Sequence, residues 1–90
     1  MERRKIIERE KRYVAVDVRF AEDGRLRPLQ IIFDKERVYE IDKIVDVSRR
    51  AADVGGVGDC YVCLIQGQQR KLWMEKGRWF VEAKVVDTAR

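Results

Sequence analysis

Ninety residues with 46% apolar content suffice for one small domain with a single core and leave no room for a second. Charged residues make up 40% of the chain, but their signs are mixed and the net charge is only +4, so an anionic partner is tolerated without being required. The chain has no histidine, which excludes histidine-dependent triads and His-based zinc sites.

No apolar run approaches the length of a membrane span, and the N-terminus lacks the apolar core of a signal peptide. A cytoplasmic location is therefore expected, with the two cysteines as free thiols and no membrane partner.

Residues 1–12 carry six basic residues against three acids around Ile6 and Ile7. With so little to bury, they are expected to form a charged arm, either a short helix or a frayed leader. Residues 13–86 are expected to form a small β domain. From Tyr13 to Phe20, Val14, Val16, Val18 and Phe20 alternate with Tyr13, Ala15, Asp17 and Arg19, the period-two pattern of a strand. Ala21-Glu22-Asp23-Gly24-Arg25 then turns the chain.

Residues 26–33 form a second strand. Pro28 has no N–H, so the strand is expected to be an edge there or to start there. Asp34-Lys35-Glu36-Arg37 is a polar turn without glycine. In the third strand, residues 38–47, Tyr39 and Ile41 share a face. Ile44 falls out of phase, which predicts a bulge or bend near Asp42-Lys43.

Residues 48–53 fit a strand end or one helical turn, and residues 54–59 a glycine-rich loop. Residues 60–66 are a fourth strand that ends at the turn Gly67-Gln68-Gln69. Arg70 to Val86 then folds back through Glu75-Lys76-Gly77-Arg78. A two-residue loop at Lys76-Gly77 sets Met74 opposite Trp79, Trp73 opposite Phe80, Leu72 opposite Val81 and Lys71 opposite Glu82. A bulged three-residue loop would slip that register. Residues 87–90 are a tail. Glu22-Asp23-Gly24-Arg25 and Glu75-Lys76-Gly77-Arg78 look like one turn solution used twice.

Short strands joined by short turns predict an all-β fold. The expected form is a small curled antiparallel sheet or partial barrel of five to six strands, SH3-like or OB-like.

Little in this chain carries chemistry. Cys60 and Cys63 have the spacing of half a zinc knuckle, but there are no other cysteines, and in a strand positions i and i+3 point to opposite faces. Gly55-Gly56-Val57-Gly58 lacks the Gly-Lys-Ser/Thr and the following helix of a phosphate-binding loop. No carboxylate pair is marked out by an apolar setting, so the chain is not expected to be an enzyme, nor to hold a metal or cofactor.

The positive lead is a set of basic residues interleaved with aromatics: Arg49, Arg50, Arg70, Lys71, Trp73, Arg78 and Phe80. Gathered on one face, they would form a cationic surface with stacking platforms for nucleic acid. The alternative is that the Trp73–Phe80 pair is structural and covers a second sheet face.

Three stretches carry a resemblance: Arg27-Pro28-Leu29-Gln30-Ile31-Ile32-Phe33; Arg37-Val38-Tyr39-Glu40-Ile41-Asp42-Lys43-Ile44-Val45-Asp46; and Leu72-Trp73 with Gly77-Arg78-Trp79-Phe80-Val81. Together they resemble a family of short uncharacterised bacterial proteins built as small β domains, a domain of unknown function. The resemblance covers about residues 13–86 and implies a β fold without catalytic residues. The expected function is a non-catalytic binding module that takes nucleic acid on the basic and aromatic face. Its rival is a protein-interaction or homo-oligomerisation module using the Trp73–Phe80 face and the Pro28 edge.

Overall fold

A computed structural model describes the backbone of residues 5–88 and the side chains of residues 9–83. The described chain is all-β, with eight strands: β1 (Lys5–Tyr13), β2 (Ala15–Phe20), β3 (Leu26–Ile32), β4 (Val38–Glu40), β5 (Lys43–Ala51), β6 (Val57–Ile65), β7 (Gln68–Glu75) and β8 (Arg78–Thr88). They form two antiparallel sheets. The larger runs β1-β8-β7-β6-β5 and the smaller β2-β3-β4, and neither closes into a barrel.

The chain crosses between the sheets twice. At the first crossing the Val14 amide donates to the Trp79 carbonyl of the larger sheet at 3.0 Å, immediately before β2 starts the smaller one. At the second, the Ile41 amide donates to the Leu29 carbonyl of the smaller sheet at 2.9 Å. The next amide, Asp42, donates to the Leu64 carbonyl of the larger sheet at 2.8 Å. The bend expected at Asp42-Lys43 is thus a change of sheet, and the expected third strand is two, β4 and β5. A register shift between Ile44 and Asp46 leaves Val45 as the extra residue of a bulge.

Strand β3 is the middle strand of its sheet, yet Pro28 is fully buried in it. Two local features accommodate the missing N–H. The β4 ladder spans only Gln30, Ile31 and Ile32, and the pairing with β2 skips Leu29 between Gln30 and Pro28. The outer half of β2 is more open than its inner half. Val14 and Val16 pack on the core, but Val18 and Phe20, beyond the register shift, are 38% and 73% exposed. The alternation read through Phe20 is thus matched by burial only as far as Val16.

The turns divide by backbone rather than by letters. Lys76 and Gly77 both have positive φ, 51° and 78°, as do Gln66 and Gly67, 51° and 78°. Both pairs are two-residue hairpin turns of the kind whose twist matches that of the strands. At residues 21–25 only Gly24 has positive φ, its amide donating to the Ala21 carbonyl at 2.9 Å. Glu-Asp-Gly-Arg and Glu-Lys-Gly-Arg are therefore different turns. The glycine-free turn after β3 is held by the Asp34 carboxylate, which accepts from the amides of Glu36 at 3.0 Å and Arg37 at 2.8 Å.

The larger sheet carries a buried cluster on each of its faces. On one, Tyr61, Cys63, Ile65 and Leu72 pack with Ile31 of the smaller sheet, and Val14, Val16, Phe33, Tyr39, Met74, Trp79 and Val81 surround them. On the other, Cys60, Trp73, Phe80 and Ala52 form a second cluster, with Val54 and Val62 against it. The cysteines of β6 lie in opposite clusters, as a strand requires. Both thiols are fully buried and free, and burial pushes Cys63 up to about 11.

The charged arm is not a helix. From Lys5 it is β1, paired along β8 from Lys5–Thr88 to Tyr13–Phe80. Strand β8 supplies a long edge of backbone donors and acceptors, and β1 satisfies them. Two of its side chains, Lys11 and Arg12, lie over the rings of Phe80 and Phe33. Residues 1–4 of the expected arm and residues 89–90 of the expected tail lie outside the described residues, while Asp87 and Thr88 belong to β8.

Candidate anion-binding cleft

The register predicted for the last hairpin holds at its turn end: Glu75 lies opposite Arg78, Met74 opposite Trp79 and Trp73 opposite Phe80. The ladder then stops. Leu72 and Lys71 pair only with β6, at Tyr61 and Val62, while Val81 and Glu82 pair only with β1, at Arg12 and Lys11. The expected Leu72–Val81 and Lys71–Glu82 pairs do not form. A cleft of about 870 Å³ opens where the strands part.

Residues from both faces of the larger sheet and from the smaller sheet line this cleft. Five of its side chains are cationic: Arg9 and Arg12 from β1, Arg37 before β4, and Arg70 and Lys71 from β7. Two are acidic, Asp53 and Glu82. Phe33, Tyr39, Ile31, Ile65 and Val81 supply the apolar wall.

The wall is organised around Phe33. Its ring takes the guanidinium of Arg12 at 5.4 Å and that of Arg37 at 5.7 Å, and packs edge-on against Tyr39 with centroids 5.5 Å apart. Arg37 is also held by Asp34 at 2.8 Å, and this contact keeps the Asp34 carboxyl below its ordinary range. The Arg70 guanidinium donates to the side chain of Gln68.

Glu82 is committed elsewhere. Its carboxylate accepts the indole N–H of Trp73 at 3.1 Å and the backbone N–H of Asp53 at 2.8 Å. It thereby ties the loop of residues 52–56 across the second cluster. Beside it, Lys11 and Glu75 pair at 2.7 Å with 23% and 19% of their side chains exposed, and Lys11 lies 4.9 Å from the Phe80 centroid. Gly56 packs on that pair so closely that a Cβ would stand 2.5 Å from a Glu75 carboxylate oxygen.

The expected basic and aromatic face is therefore divided. Trp73 and Phe80 are stacked at 6.0 Å with planes 8° apart, but they are 2% and 1% exposed beneath the loop and Lys11. Neither presents a ring to a base or to another chain. Arg70 and Lys71 reach the cleft. Arg49 and Arg50 lie on β5, where Arg49 meets Asp59 at 3.4 Å and Arg50 donates to the Cys60 sulfur at 3.3 Å. Arg78 sits at the hairpin turn with its guanidinium 3.5 Å from the Tyr13 centroid.

Arg9, Arg12, Phe33, Arg37 and Tyr39 are not among the site residues that the sequence marks out. They come from separate strands, and only the crossing at Val14 and the departure of β8 from β7 bring them together. The one local signal was Asp34-Lys35-Glu36-Arg37, whose first and last residues clasp a turn that sets Arg37 over Phe33.

Among the described residues no three Cys, Asp or Glu side chains gather where they could hold a metal ion, and no helix is long and apolar enough to cross a membrane. Comparison of the chain with models of known protein families, with curated proteins and with solved structures returned no match.

Proposed function

We propose that the chain is a non-catalytic binding module that takes single-stranded nucleic acid in the cleft between β7, β8 and the smaller sheet. The observation that carries this reading is the convergence of Arg9, Arg12, Arg37, Arg70 and Lys71 on one cleft whose wall contains Phe33 and Tyr39. Cations that track a backbone beside aromatic rings that accept bases are the two requirements of sequence-tolerant single-strand binding. The cleft volume falls within the roughly 300–1,000 Å³ of sites that enclose a small molecule, so a nucleotide-sized group fits. Of the two acids in the wall, Glu82 already holds two N–H groups.

The test is fluorescence anisotropy of a labelled oligothymidine across a salt series. Binding should weaken with a log–log slope of about −2 to −3, the release expected when three or four phosphates are neutralised on a single strand. Arg12→Ala and Arg70→Ala should each make the slope shallower by about one phosphate contact or less. Phe33→Ala should weaken binding without changing the slope. Absence of binding at low salt removes the proposal.

A further inference from the structure

Strand β5 is one of the two nine-residue edges of the larger sheet, with no strand beside it on one side and with most of its side chains open to solvent. Among the described residues, three of the seven exposed large apolar side chains, Val45, Val47 and Val57, lie on β5 or opposite its end, at 47%, 51% and 50% exposure. Such edges pair with other strands unless something blocks them. The bulge at Val45 and Lys43 guard only the first part of β5. From Asp46 to Ala51 the strand is regular and contains no proline. Its remaining protection is the pair Arg49-Arg50, which would repel a strand with no acid to answer it.

We infer that β5 is a self-complementary edge and that its partner is the β5 of a second copy of this chain, added antiparallel to make one continuous ten-stranded sheet. A two-fold axis perpendicular to the sheet requires residues of the same face to stand opposite one another. Asp46, Ser48 and Arg50 share one face, with Ser48 midway. Setting Ser48 opposite Ser48 places Asp46 of each copy opposite Arg50 of the other, two opposite-charge cross-strand pairs related by symmetry.

On the other face of the strand, Val47 lies beside the stem of the opposing Arg49, with the two Val47 side chains diagonal to each other. The next symmetric register, Val47 opposite Val47, sets Asp46 against Ser48 and Ile44 against Arg50 and leaves every arginine unanswered. Among the described residues Asp46 makes no ion pair, and Arg50 makes only its contact with the Cys60 sulfur. Arg50 thus serves association of the chain with itself, away from the β7–β8 cleft, while Arg49 keeps its partner Asp59 within its own chain.

Strand addition over six residues buries less than the roughly 1,200 Å² of a standard interface, so the dimer is weak and transient. Sedimentation equilibrium across concentrations up to about 1 mM, where even a −4 kcal/mol association populates dimer, reads it directly. The wild-type chain should pass from monomer to dimer with no larger species. Asp46→Arg and Arg50→Asp should each weaken self-association by about tenfold or more, since each replaces attraction by repulsion at both symmetry-related pairs.

An equimolar mixture of the two variants should restore dimerisation, because opposite charges again face each other at all four positions. Unchanged near-UV circular dichroism of both variants establishes that they are folded. A wild-type chain that stays monomeric overturns the inference, as does a dimer indifferent to both substitutions. A mixture that fails to restore association overturns the register.

Discussion

From Trp73 to Phe80 strands β7 and β8 are in register, closed by a turn with two positive φ angles, and cover two buried aromatic rings. A few residues further from the turn the same strands have parted, and the gap between them is lined by arginines, glutamines and one lysine. The difference lies in what each stretch has to bury. Trp73 and Phe80 each remove a large apolar surface from water by staying opposite one another, a gain of about 1.5–3 kcal/mol for a phenylalanine-sized side chain. Arg70, Lys71 and Glu82 gain nothing comparable by closing. Past Phe80 the backbone of β8 is held on its other edge, by β1. Stability and the candidate site thus occupy opposite ends of one pair of strands.

The contrast breaks most visibly in the packed end. Trp73→Ala should cost about 3–5 kcal/mol in urea unfolding, the range for emptying a large aromatic site in a core. An equal truncation at the open end, Lys71→Ala, should stay within about 0.5 kcal/mol.

Next in size is the clasp between the two ends. Glu82→Gln weakens charged hydrogen bonds to the Trp73 indole and the Asp53 amide, and should cost about 1–2 kcal/mol. Faster hydrogen exchange in the loop of residues 52–56, with β6 unaffected, would place the loss there.

The neighbouring Lys11–Glu75 pair sharpens the comparison through pH. Its hydrogen bond holds Glu75 below its ordinary 4.5 and Lys11 above its ordinary 10.5. A depressed carboxyl contributes stability that is present above 4.5 and lost as pH falls through its folded value. A raised amine contributes stability that is present below 10.5 and lost as pH rises through its own. The wild-type melting temperature should therefore converge on that of Glu75→Gln in acid and again in strong alkali, and exceed it between.

The smallest effect belongs to the turn. Asn at the first position of such turns adopts positive φ more readily than Lys, so Lys76→Asn should stabilise by a few tenths of a kcal/mol, up to about 1. The same replacement at Gln66 should do likewise, whereas at Asp23, which has no positive φ, it should do nothing.

What could be read in the chain follows the same division. The pairing of Trp73 with Phe80 and Met74 with Trp79 was legible because apolar alternation and a Lys-Gly turn act within ten residues. The opposite placement of Cys60 and Cys63 was legible from strand geometry alone. That β8 would leave β7 was not, because the strand that holds its other edge is β1, some seventy residues earlier, whose charged pattern reads equally well as a leader. Glu-Asp-Gly-Arg and Glu-Lys-Gly-Arg misled because letters do not report φ. The arginines of the cleft were visible one by one, but their convergence depends on two crossings between sheets that no local pattern encodes.

The most direct test is a two-dimensional amide NMR titration of the wild-type chain with oligothymidine at low salt. The account predicts progressive shifts at Arg12, Phe33, Tyr39, Arg70 and Val81, with the Trp73 indole N–H unmoved. Shifts confined to Arg49, Arg50 and Arg78, or a moving Trp73 indole with a silent cleft, would contradict it.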